Sequence, residues 1–597
     1  MSTIVKTIKQ NWILWLGLLA GLFCFTLRIT GFDLAFIPGD AIDARFNIYI
    51  LEHGYSYLTG RLDSYWNAPF MYPEANVIAY SDNLLGTLPL YALFRAWGLD
   101  IFKSFQMWFI LMCILNYLSA YYFFRAAFKD KLAAVLGAFV FAFSLSLFSQ
   151  ITHAQLFPRF PIPLAFLFAF RFGESAKPSF LALALISVVY QFYCGVYLGF
   201  FLALSIGIYL FSFIISKEFR KSIPVKSDWW LKVTVPSIIG GGLLLFLLLP
   251  YYKKQQEFSK EAFREIFRTI PSPDSYIYSF PGSVLWGFLN TKPAGSLAYW
   301  DHEIFPGFIP LVALILVLAW CSICRFHPRF RFPIASSKAR FFATAAITIL
   351  IYTRFGDFSV YKAIYQLPGF SSLRSITRII NLNLLFLGGA LAFLFSIIKW
   401  PNRPIRTFSF IFLFLALLVD NFVLREYIYR TNLAELKDRT ESLIQTFQDL
   451  PVGALISYEP DTLLKPVQLY QLDAMLAAQE ANLYTVNAYT GSSPKDYFYY
   501  WNNPNSRNRN LWLKDKGVKY DSIYVVNEHG NIKHLSINEE IRTIELTPSE
   551  KEIKYLMDAI RKDKNWLNTV KNKADERKIP LDSMLYIDAK WVLENRN

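Results

Sequence analysis

Apolar runs long enough to cross a bilayer recur along most of this chain, and they constrain its fold more than any other feature. Because a segment in lipid must satisfy its own backbone hydrogen bonds, each such run predicts a helix. Hydrophobic residues make up 54% of the chain and charged residues 18%, which supports the same interpretation. We therefore predict a polytopic α-helical membrane protein with about 11 transmembrane helices. The runs lie near 12–30, 104–125, 132–149, 158–171, 179–192, 196–216, 232–250, 305–324, 341–353, 379–397 and 407–424.

Positive charge lies in the short loops between these runs, in every second loop. This pattern predicts a cytoplasmic N-terminus and places the long polar loops on the outer side of the membrane. The first of these, 31–103, carries eight acidic and four basic residues. The net charge of +15 does not indicate a nucleic-acid partner, because no basic stripe or nucleic-acid-binding motif accompanies it.

Two regions follow from the same pattern. Residues 1–424 are predicted to form the transmembrane domain, with long outer loops at 31–103 and 251–304. Residues 425–597 are more polar and are predicted to form a mixed α/β extracytoplasmic domain. Its predicted helices are 435–449, 468–481 and 548–571, and its predicted strands are 453–458, 482–489, 521–527 and 541–546.

Two amphipathic stretches in the outer loops are predicted to lie along the membrane surface. One is 84–98, which is apolar but contains Pro89 and Arg95, and the other covers roughly 258–270.

The first outer loop opens with two acids near the membrane exit. If 43–53 is helical, Asp43 and Asn47 share one face, and a partly desolvated carboxylate there could accept a proton from an acceptor hydroxyl. Asp40 and Asp43 could equally be helix-capping residues. Further along the loop, Asn67 and Tyr72 lie in a stretch that prolines and aromatic residues make rigid.

Other polar residues mark the outer ends of later runs. Asp82 is a candidate substrate ligand, or the N-cap of the helix that follows it. In the second outer loop, His153, Gln155 and Arg159 could bind substrate, carry a proton or make interfacial hydrogen bonds; no DxD or HExxH motif accompanies them, so we expect no metal.

The segment 300–303 (WDHE) precedes the eighth run. Its two acids, Asp301 and Glu303, and His302 could bind a polar acceptor, or they could form a solvated turn.

Arg374 and Arg378 oppose the positive-inside trend. Their spacing predicts one helix face at the outer start of the tenth run, where two guanidinium groups suit a lipid phosphate. Ordinary snorkelling of the two side chains to the interface is the alternative.

At this point the sequence resembles the GT-C superfamily of membrane glycosyltransferases. DARFN at 43–47 and LEHG at 51–54 are similar to the D-P-W-F-N-Y-R…V-E-H-G segment of oligosaccharyltransferase catalytic subunits, and LPL at 88–90 resembles the H-P-P-L segment of protein mannosyltransferases. The many spans, the early acid in a long first outer loop and the outer C-terminal domain match the family's architecture.

The resemblance implies an inverting transfer of a sugar from a polyprenyl-phosphate donor, held beside membrane lipid, to an extracytoplasmic lipid, glycan or protein. Asp43 would be the general base, with Asp40 as its possible substitute, while Arg374 and Arg378 would hold the donor phosphate. Glu52 and His53 would contribute to substrate binding. A bacterial inner membrane is the expected location.

One departure from the family concerns the metal. Oligosaccharyltransferases use an acidic pair in the second outer loop to help bind a metal, and this chain has His153 and Gln155 there instead. The departure favours a metal-independent enzyme without a cofactor, and it disfavours glycosylation of peptides.

Two other classes of function are left open. A transporter or flippase for lipid-linked glycans would be expected to carry broken helices and ionisable residues at mid-membrane depth, and few charges fall inside the runs. A non-catalytic scaffold of envelope assembly would explain the polar C-terminal region but not the acids and arginines of the outer loops.

Overall fold

The chain folds into two compact units. The computed structural model describes residues 11–223, 227–255, 263–296, 299–326, 336–514, 516–542, 548–577 and 581–594. The membrane unit comprises Met1–Tyr55, Asp82–Gln255 and Ser259–Leu433. The second unit comprises Ser56–Ser81, Gln256–Phe258 and Ala434–Asn597. Part of the loop that the sequence predicts to be the first outer loop therefore belongs to the second unit.

Long apolar helices dominate the membrane unit. Six helical segments are long and apolar enough to cross a membrane, and three shorter apolar helices accompany them. The six are Trp12–Thr30, Ile101–Phe128, Ala154–Ser175, Val196–Ile214, Ser227–Gln255 and Ile376–Ile397. The shorter three are Lys131–Leu147, Pro178–Cys194 and Phe308–Ile323. The protein is thus a multi-pass membrane protein.

The two remaining predicted runs also coincide with helices. These are Ser336–Ile351 and Arg403–Asp420, both of which carry charged residues near their ends. A total of about eleven spans remains a prediction, because helix length and apolar composition support six of them directly.

Small residues allow two membrane helices to approach closely. A Cβ atom built on Gly388 would lie 2.4 Å from the carbonyl oxygen of Gly137, so no side chain fits at this crossing. Gly137 lies on the helix Lys131–Phe143 and Gly388 on Ile380–Ile397. Close backbone contact of this kind is a common way to pack helices in lipid.

Shorter elements of the membrane unit form its polar loops. The helix Asp43–Leu58 begins the first outer loop, and the nine-residue helix Leu88–Ala96 follows later. The latter is too short to span, as expected for a surface helix. The predicted surface helix near 258–270 corresponds to Phe263–Thr269, while 256–262 lie outside the described residues. Further short helices are Lys217–Ser222 and Tyr361–Ile364.

Two short antiparallel strand pairs connect these loops. The strand Phe36–Pro38 pairs antiparallel with Arg430–Asn432, so the chain that follows the first apolar helix is tied to the chain that follows the helix Arg403–Asp420. Arg354–Phe355 pairs with Phe358–Ser359.

The second unit contains a four-stranded sheet with helices around it. Its strand order is Tyr484–Thr485, Leu455–Tyr458, Ser522–Val526, Ile532–Ser536; the last pair is antiparallel and the other pairs are parallel. The helices are Leu433–Gln448, Val467–Glu480, Phe498–Asn502, Ser506–Leu513, Ile537–Arg542, Pro548–Lys562, Lys564–Arg577 and Leu581–Glu594.

One predicted strand of this region is wrong in the part that the structure describes. The prediction placed a strand at 541–546, but Ile537–Arg542 is helical, and 543–547 lie outside the described residues. The strand that borders the sheet is Ile532–Ser536, which follows the turn at Asn527–Gly530. Its exposed first residues, Ile532 to His534, lack the apolar run that signals a buried strand.

Residues 56–81 complete the second unit at the edge of this sheet. Backbone N–H groups of Met71 and Tyr72 donate to the carbonyl oxygens of Asn487 and Thr485, at 3.2 and 3.0 Å, and Thr485 N–H donates to Pro69. The indole of Trp512 donates to the carbonyl oxygen of Tyr72 at 2.7 Å. The loop thereby satisfies backbone groups that an open sheet edge would expose.

Candidate active site in the membrane unit

The helix that carries Asp43 is fixed at its start by Asp40. One carboxylate oxygen of Asp40 accepts hydrogen bonds from the backbone N–H groups of Ile42 and Asp43, at 3.0 and 2.8 Å. This is N-capping, the alternative that the sequence left open for Asp40. Asp43 itself is the first residue of the helix Asp43–Leu58, and its side chain points to a different partner.

That partner is His153, whose imidazole lies between two acids. Its Nδ1 is 3.1 Å from a carboxylate oxygen of Asp43, and its Nε2 is 3.7 Å from a carboxylate oxygen of Asp301. The three residues come from three separate loops, so the site exists only in the folded chain.

The charges of these groups depend on one another. Burial and the charge of Arg378 oppose protonation of His153, but its contacts with Asp301 and Asp43 outweigh both and raise its pKa to about 9. Burial alone would raise the pKa of Asp301, yet the contacts with His153, Arg378 and Ser375 lower it to about 2. At neutral pH the pair is therefore an imidazolium beside a carboxylate.

Asp301 is positioned from its other side by Ser375. The Ser375 hydroxyl donates to the second carboxylate oxygen of Asp301 at 2.8 Å and lies 2.8 Å from the hydroxyl of Thr377. The backbone N–H of Ile376 is held in turn by the hydroxyl of Thr269 at 3.3 Å. These contacts bring the segment before the helix Ile380–Ile397 into the site.

Arg378 is the cation of this site. Its charge acts on Asp82, His153 and Asp301, and its guanidinium carbon lies 4.8 Å from the centre of the Tyr197 ring. Stacking of this kind orients a guanidinium group while leaving its N–H edges available for an anion.

The prediction that Arg374 and Arg378 share one helix face is wrong. Arg374 lies in an extended stretch between the short 3₁₀ helices Phe370–Ser372 and Ile376–Ile379, and the α-helix begins at Ile380. The tertiary bonds of Ser375 and Ile376 hold this stretch out of the helix. Both arginines nevertheless meet Tyr197, because the backbone N–H of Arg374 donates to its hydroxyl at 2.8 Å.

Asn47 and Gln155 link the loops that carry Asp43 and His153. The Asn47 amide donates to the carbonyl oxygen of Asp43 at 2.8 Å and to the side-chain oxygen of Gln155 at 3.0 Å. Asn47 thus lies on the face of Asp43, as the helical spacing predicts.

Asp82 lies at the start of a membrane helix. It accepts a hydrogen bond from the backbone N–H of Val196 at 2.7 Å, so it caps Val196–Ile214 rather than the nearby Leu88–Ala96 that sequence proximity suggested. Burial raises its pKa to about 6, although the Val196 bond and Arg378 oppose the shift. Val196 and Tyr197 are adjacent, so Asp82 and Arg378 contact neighbouring positions of one helix end.

Other predicted residues are engaged in the framework of the membrane unit. Glu52 is buried and forms an ion pair with Arg95 at 2.8 Å, and it accepts a hydrogen bond from Tyr91 at 2.8 Å. His53 is fully buried and stacks with Tyr49. Arg159 is also fully buried, with its guanidinium carbon 4.9 Å from the centre of the Phe141 ring.

His302 and Glu303 follow Asp301 in the sequence, but their side chains contact other residues. The ring of His302 lies 2.8 Å from the hydroxyl of Ser275 and 3.1 Å from the carbonyl oxygen of Arg268, and burial lowers its pKa to about 4. Burial raises the pKa of Glu303 to about 8. Neutral His302 therefore stabilises, through these two contacts, the loop that carries Asp301.

Asn67 and Tyr72 belong to the second unit. The side-chain oxygen of Asn67 accepts a hydrogen bond from the backbone N–H of Asn76 at 2.8 Å. The hydroxyl of Tyr72 accepts one from the backbone N–H of Lys519 at 2.9 Å. Their described contacts lie within that unit and shape its loop.

The donor set of the site does not suit a three-ligand metal centre of the kind that the family resemblance raises. As described, Asp43, His153 and Asp301 do not bring three donor atoms within 4.8 Å of one another, because the imidazole separates the two carboxylates. The imidazole of His153 itself occupies the position between the two acids.

Sequence reasoning left Ser375 and Tyr197 out of the predicted site, and it named Asp301 only as one of two acids in a possible acceptor-binding segment. Asp301 lies in the WDHE segment that drew attention, but nothing in its spacing ranks it above His302 and Glu303. Ser375 falls between the two arginines, and Tyr197 is one aromatic residue among many in a membrane helix, so neither carries a local signal.

Comparison with known proteins gives similarities at the level of structure. No protein-family model matches the chain, and no curated protein matches it. Among solved structures, it is similar to the oligosaccharyltransferase AglB of Archaeoglobus fulgidus in complex with an inhibitory peptide and a dolichol-phosphate. The two chains share 13% identity with a TM-score of 0.47, and the match covers 87% of this chain and 70% of that one. The apo form of the Archaeoglobus fulgidus oligosaccharyltransferase shares 12% identity with this chain, with a TM-score of 0.47. The match covers 89% of this chain and 75% of that one.

A second similar structure is the arabinofuranosyltransferase AftD from mycobacteria. It shares 14% identity with a TM-score of 0.37, over 75% of this chain and 30% of that one. With identities of 12–14% and TM-scores below 0.5, these similarities carry no argument about the reaction.

Proposed function

We propose that this protein is a membrane glycosyltransferase that moves a sugar from a polyprenyl-phosphate donor to an acceptor on the extracytoplasmic side, with inversion at the anomeric carbon. The observation that carries the proposal is the meeting of Asp43, His153 and Asp301 with the cation Arg378 in one place. A base beside a fixed cation is what displacement of a phosphate leaving group by a hydroxyl requires.

Asp43 is the general base of the proposed reaction. The acceptor oxygen forms a bond to C1 of the sugar, the bond from C1 to the phosphate oxygen breaks, and the hydroxyl proton passes to Asp43. His153, as an imidazolium 3.1 Å from Asp43, orients that carboxylate before the reaction.

Asp301 and Ser375 are positioning residues. Asp301 keeps His153 protonated, and Ser375 fixes the carboxylate of Asp301 through a 2.8 Å hydrogen bond. Neither needs to touch the substrate for the reaction to depend on it.

Arg378 stabilises the leaving phosphate. Its guanidinium group is oriented by Tyr197, and the negative charge that appears on the polyprenyl phosphate as the bond breaks is the charge it would meet. Arg374, which is more exposed, extends the cationic surface toward the lipid headgroups.

Replacement of Asp43 tests the proposal. Asp43→Asn keeps the size and helix-starting position of the residue, so we expect transfer from a polyprenyl-phosphate-linked sugar to fall by about 10²–10⁴-fold while the protein still inserts and purifies normally. Asp33→Asn is the matched control, because Asp33 is an exposed acid of the same loop, and it should retain wild-type activity.

A transport assay separates the proposal from its rivals. Reconstituted vesicles loaded with the lipid-linked sugar would report flipping without transfer if the protein were a flippase. Undiminished transfer by Asp43→Asn would also remove Asp43 from its role.

A further inference from the structure

A cleft of about 420 Å³ opens beside Asp40 in the membrane unit. Its walls include Asp40, Phe280, Glu426, Tyr427, Tyr429 and Arg430. This volume lies at the lower end of the range of small-molecule sites, which is roughly 300–1,000 Å³. None of the residues proposed to act on the donor phosphate lines it.

The far wall of the cleft is built on the pairing between the two loop strands. Backbone N–H of Gly39 donates to the carbonyl oxygen of Tyr429 at 3.1 Å, and the Thr431 hydroxyl donates to the carbonyl oxygen of Gly39 at 3.0 Å. The register that pairs Pro38 with Arg430 continues this contact. Backbone pairing therefore fixes the shape of this part of the cleft wall.

Asp40 connects the cleft to the proposed base. Asp40, on its wall, caps the helix that Asp43 begins, through a 2.8 Å bond to the Asp43 N–H. Both capping bonds use the same oxygen of Asp40, so its second oxygen takes part in neither. The charge of Asp40 also interacts with Tyr429 and with the carboxylate of Asp43.

The chemistry of the walls is acidic and aromatic. Tyr427 and Tyr429 are 46% and 45% exposed, so both aromatic residues are partly accessible from outside. Asp40 and Glu426 offer carboxylates that accept hydrogen bonds from hydroxyl groups. Arg430 is engaged elsewhere, because its guanidinium group stacks on Phe36 at 4.0 Å and donates to the carbonyl oxygen of Arg28.

These features match a neutral sugar better than an anion. The C–H face of a sugar ring packs on an aromatic ring, and its hydroxyls donate to carboxylates. Two carboxylates with the nearby cation turned away repel an anionic ligand.

We propose that this cleft, the acceptor cleft, binds a neutral glycan and presents one of its hydroxyls to Asp43. The proposal rests on the glycosyl transfer proposed above, for which it names the class of acceptor. It assigns Tyr427 and Tyr429 to stacking on the sugar and Asp40 to holding its hydroxyls.

Direct binding tests the acceptor cleft without any donor. The detergent-solubilised full chain is titrated by saturation-transfer NMR with maltose, cellobiose, mannobiose and chitobiose as neutral probes. Glucuronic acid serves as an anionic probe and a short lysine-rich peptide as a cationic one. We expect at least one neutral disaccharide to bind, and the double variant Tyr427→Ala/Tyr429→Ala to weaken its binding at least tenfold.

A conservative variant and a matched control guard against misfolding. Asp40→Asn retains a good capping residue but removes the charge, and we expect it to weaken the same probe by a smaller factor. Tyr555→Ala, which removes a 71% exposed tyrosine of the second unit, should bind like the wild type.

The outcomes separate this inference from the proposed function. Failure of every neutral probe to bind, equal binding by the double variant, or preference for the charged probes would overturn the acceptor cleft while leaving the Asp43→Asn transfer assay to stand by itself. Conversely, disaccharide binding that depends on the two tyrosines would support the cleft even if Asp43→Asn proved fully active.

Discussion

Nδ1 of His153 lies 3.1 Å from a carboxylate oxygen of Asp43, and the opposite nitrogen of the same ring faces Asp301. One imidazole therefore connects the proposed base to a carboxylate on a different loop. The electrostatic state of Asp43 should depend on a residue that need not contact substrate, and this dependence distinguishes the proposed site from a chance cluster of surface acids.

Replacement of Asp301 tests that dependence. Asp301→Asn retains the shape and can still accept the Ser375 hydroxyl, but it removes the charge that helps to keep His153 protonated. We expect kcat to fall about 10- to 100-fold with little change in the KM of the donor, since a positioning effect is smaller than loss of the base. Asp357→Asn, in an exposed turn, is the control, and an unchanged kcat in Asp301→Asn would contradict the assignment.

The pH dependence of transfer should report His153. Its ring is faced by Asp43, Asp301 and Arg378, with Asp40 beside Asp43, and the acids raise its pKa to about 9 against burial and the arginine. If the imidazolium is the active form, activity is lost as pH rises through 9. In Asp301→Asn the alkaline limb should move to lower pH. A limb that does not move would separate His153 from the pH profile.

The same shift predicts how folding stability varies with pH. Because the folded pKa of His153 exceeds the ordinary value near 6.5, its protonated form is favoured by folding. This contribution is complete below about pH 6.5 and is lost as pH rises through 9. Thermal unfolding in detergent should therefore show a decline in Tm between these values that is smaller in His153→Gln, and an equal decline in both proteins would argue against the shift.

The two arginines should differ in their effects. Arg378 acts on three groups of the site, whereas Arg374 is exposed. We expect Arg378→Gln to lower kcat/KM for the polyprenyl-phosphate donor about 10²–10³-fold, as for loss of a charge that stabilises a transition state. Arg374→Gln should cost less and act mainly through KM. Equal losses in the two variants would mean that the phosphate lies between them.

Chelators test the conclusion drawn from the donor set. Since the described arrangement gives a cation no three-ligand site among Asp43, His153 and Asp301, transfer should continue at an unchanged rate after dialysis against EDTA. The control is added Mn²⁺ or Mg²⁺, which should not stimulate the dialysed enzyme. Loss of activity on dialysis with recovery on adding metal would overturn the metal-independent mechanism.

Some of this site could be predicted from the sequence and some could not. Asp43 and Asn47 were found because helical spacing places them on one face, and His153 because histidine is rare in this chain. The pairing of His153 with Asp301 joins distant loops, and local patterns contain no information about such contacts. For the same reason the helix predicted at Arg374 fails: tertiary hydrogen bonds to Ser375 and Ile376 override the local preference.

The fold shows the same division. Long apolar runs located the membrane helices, and the strand predicted at 453–458 is observed as Leu455–Tyr458. Glu52 and His53 were predicted to bind substrate because of a motif. The buried ion pair of Glu52 with Arg95 could not be predicted, because it depends on the packing of the helix Leu88–Ala96 against the helix Asp43–Leu58.

The loop 56–81 changes what a fragment of this protein can be. Its backbone completes the sheet edge at Thr485 and Asn487, although several hundred residues of membrane-embedded chain separate the two in sequence. A protein chemist who expresses the C-terminal region by itself would obtain a sheet with an uncovered strand, prone to self-association. A usable fragment would have to reinstate the missing segment, for example by grafting it through a short linker ahead of residue 434.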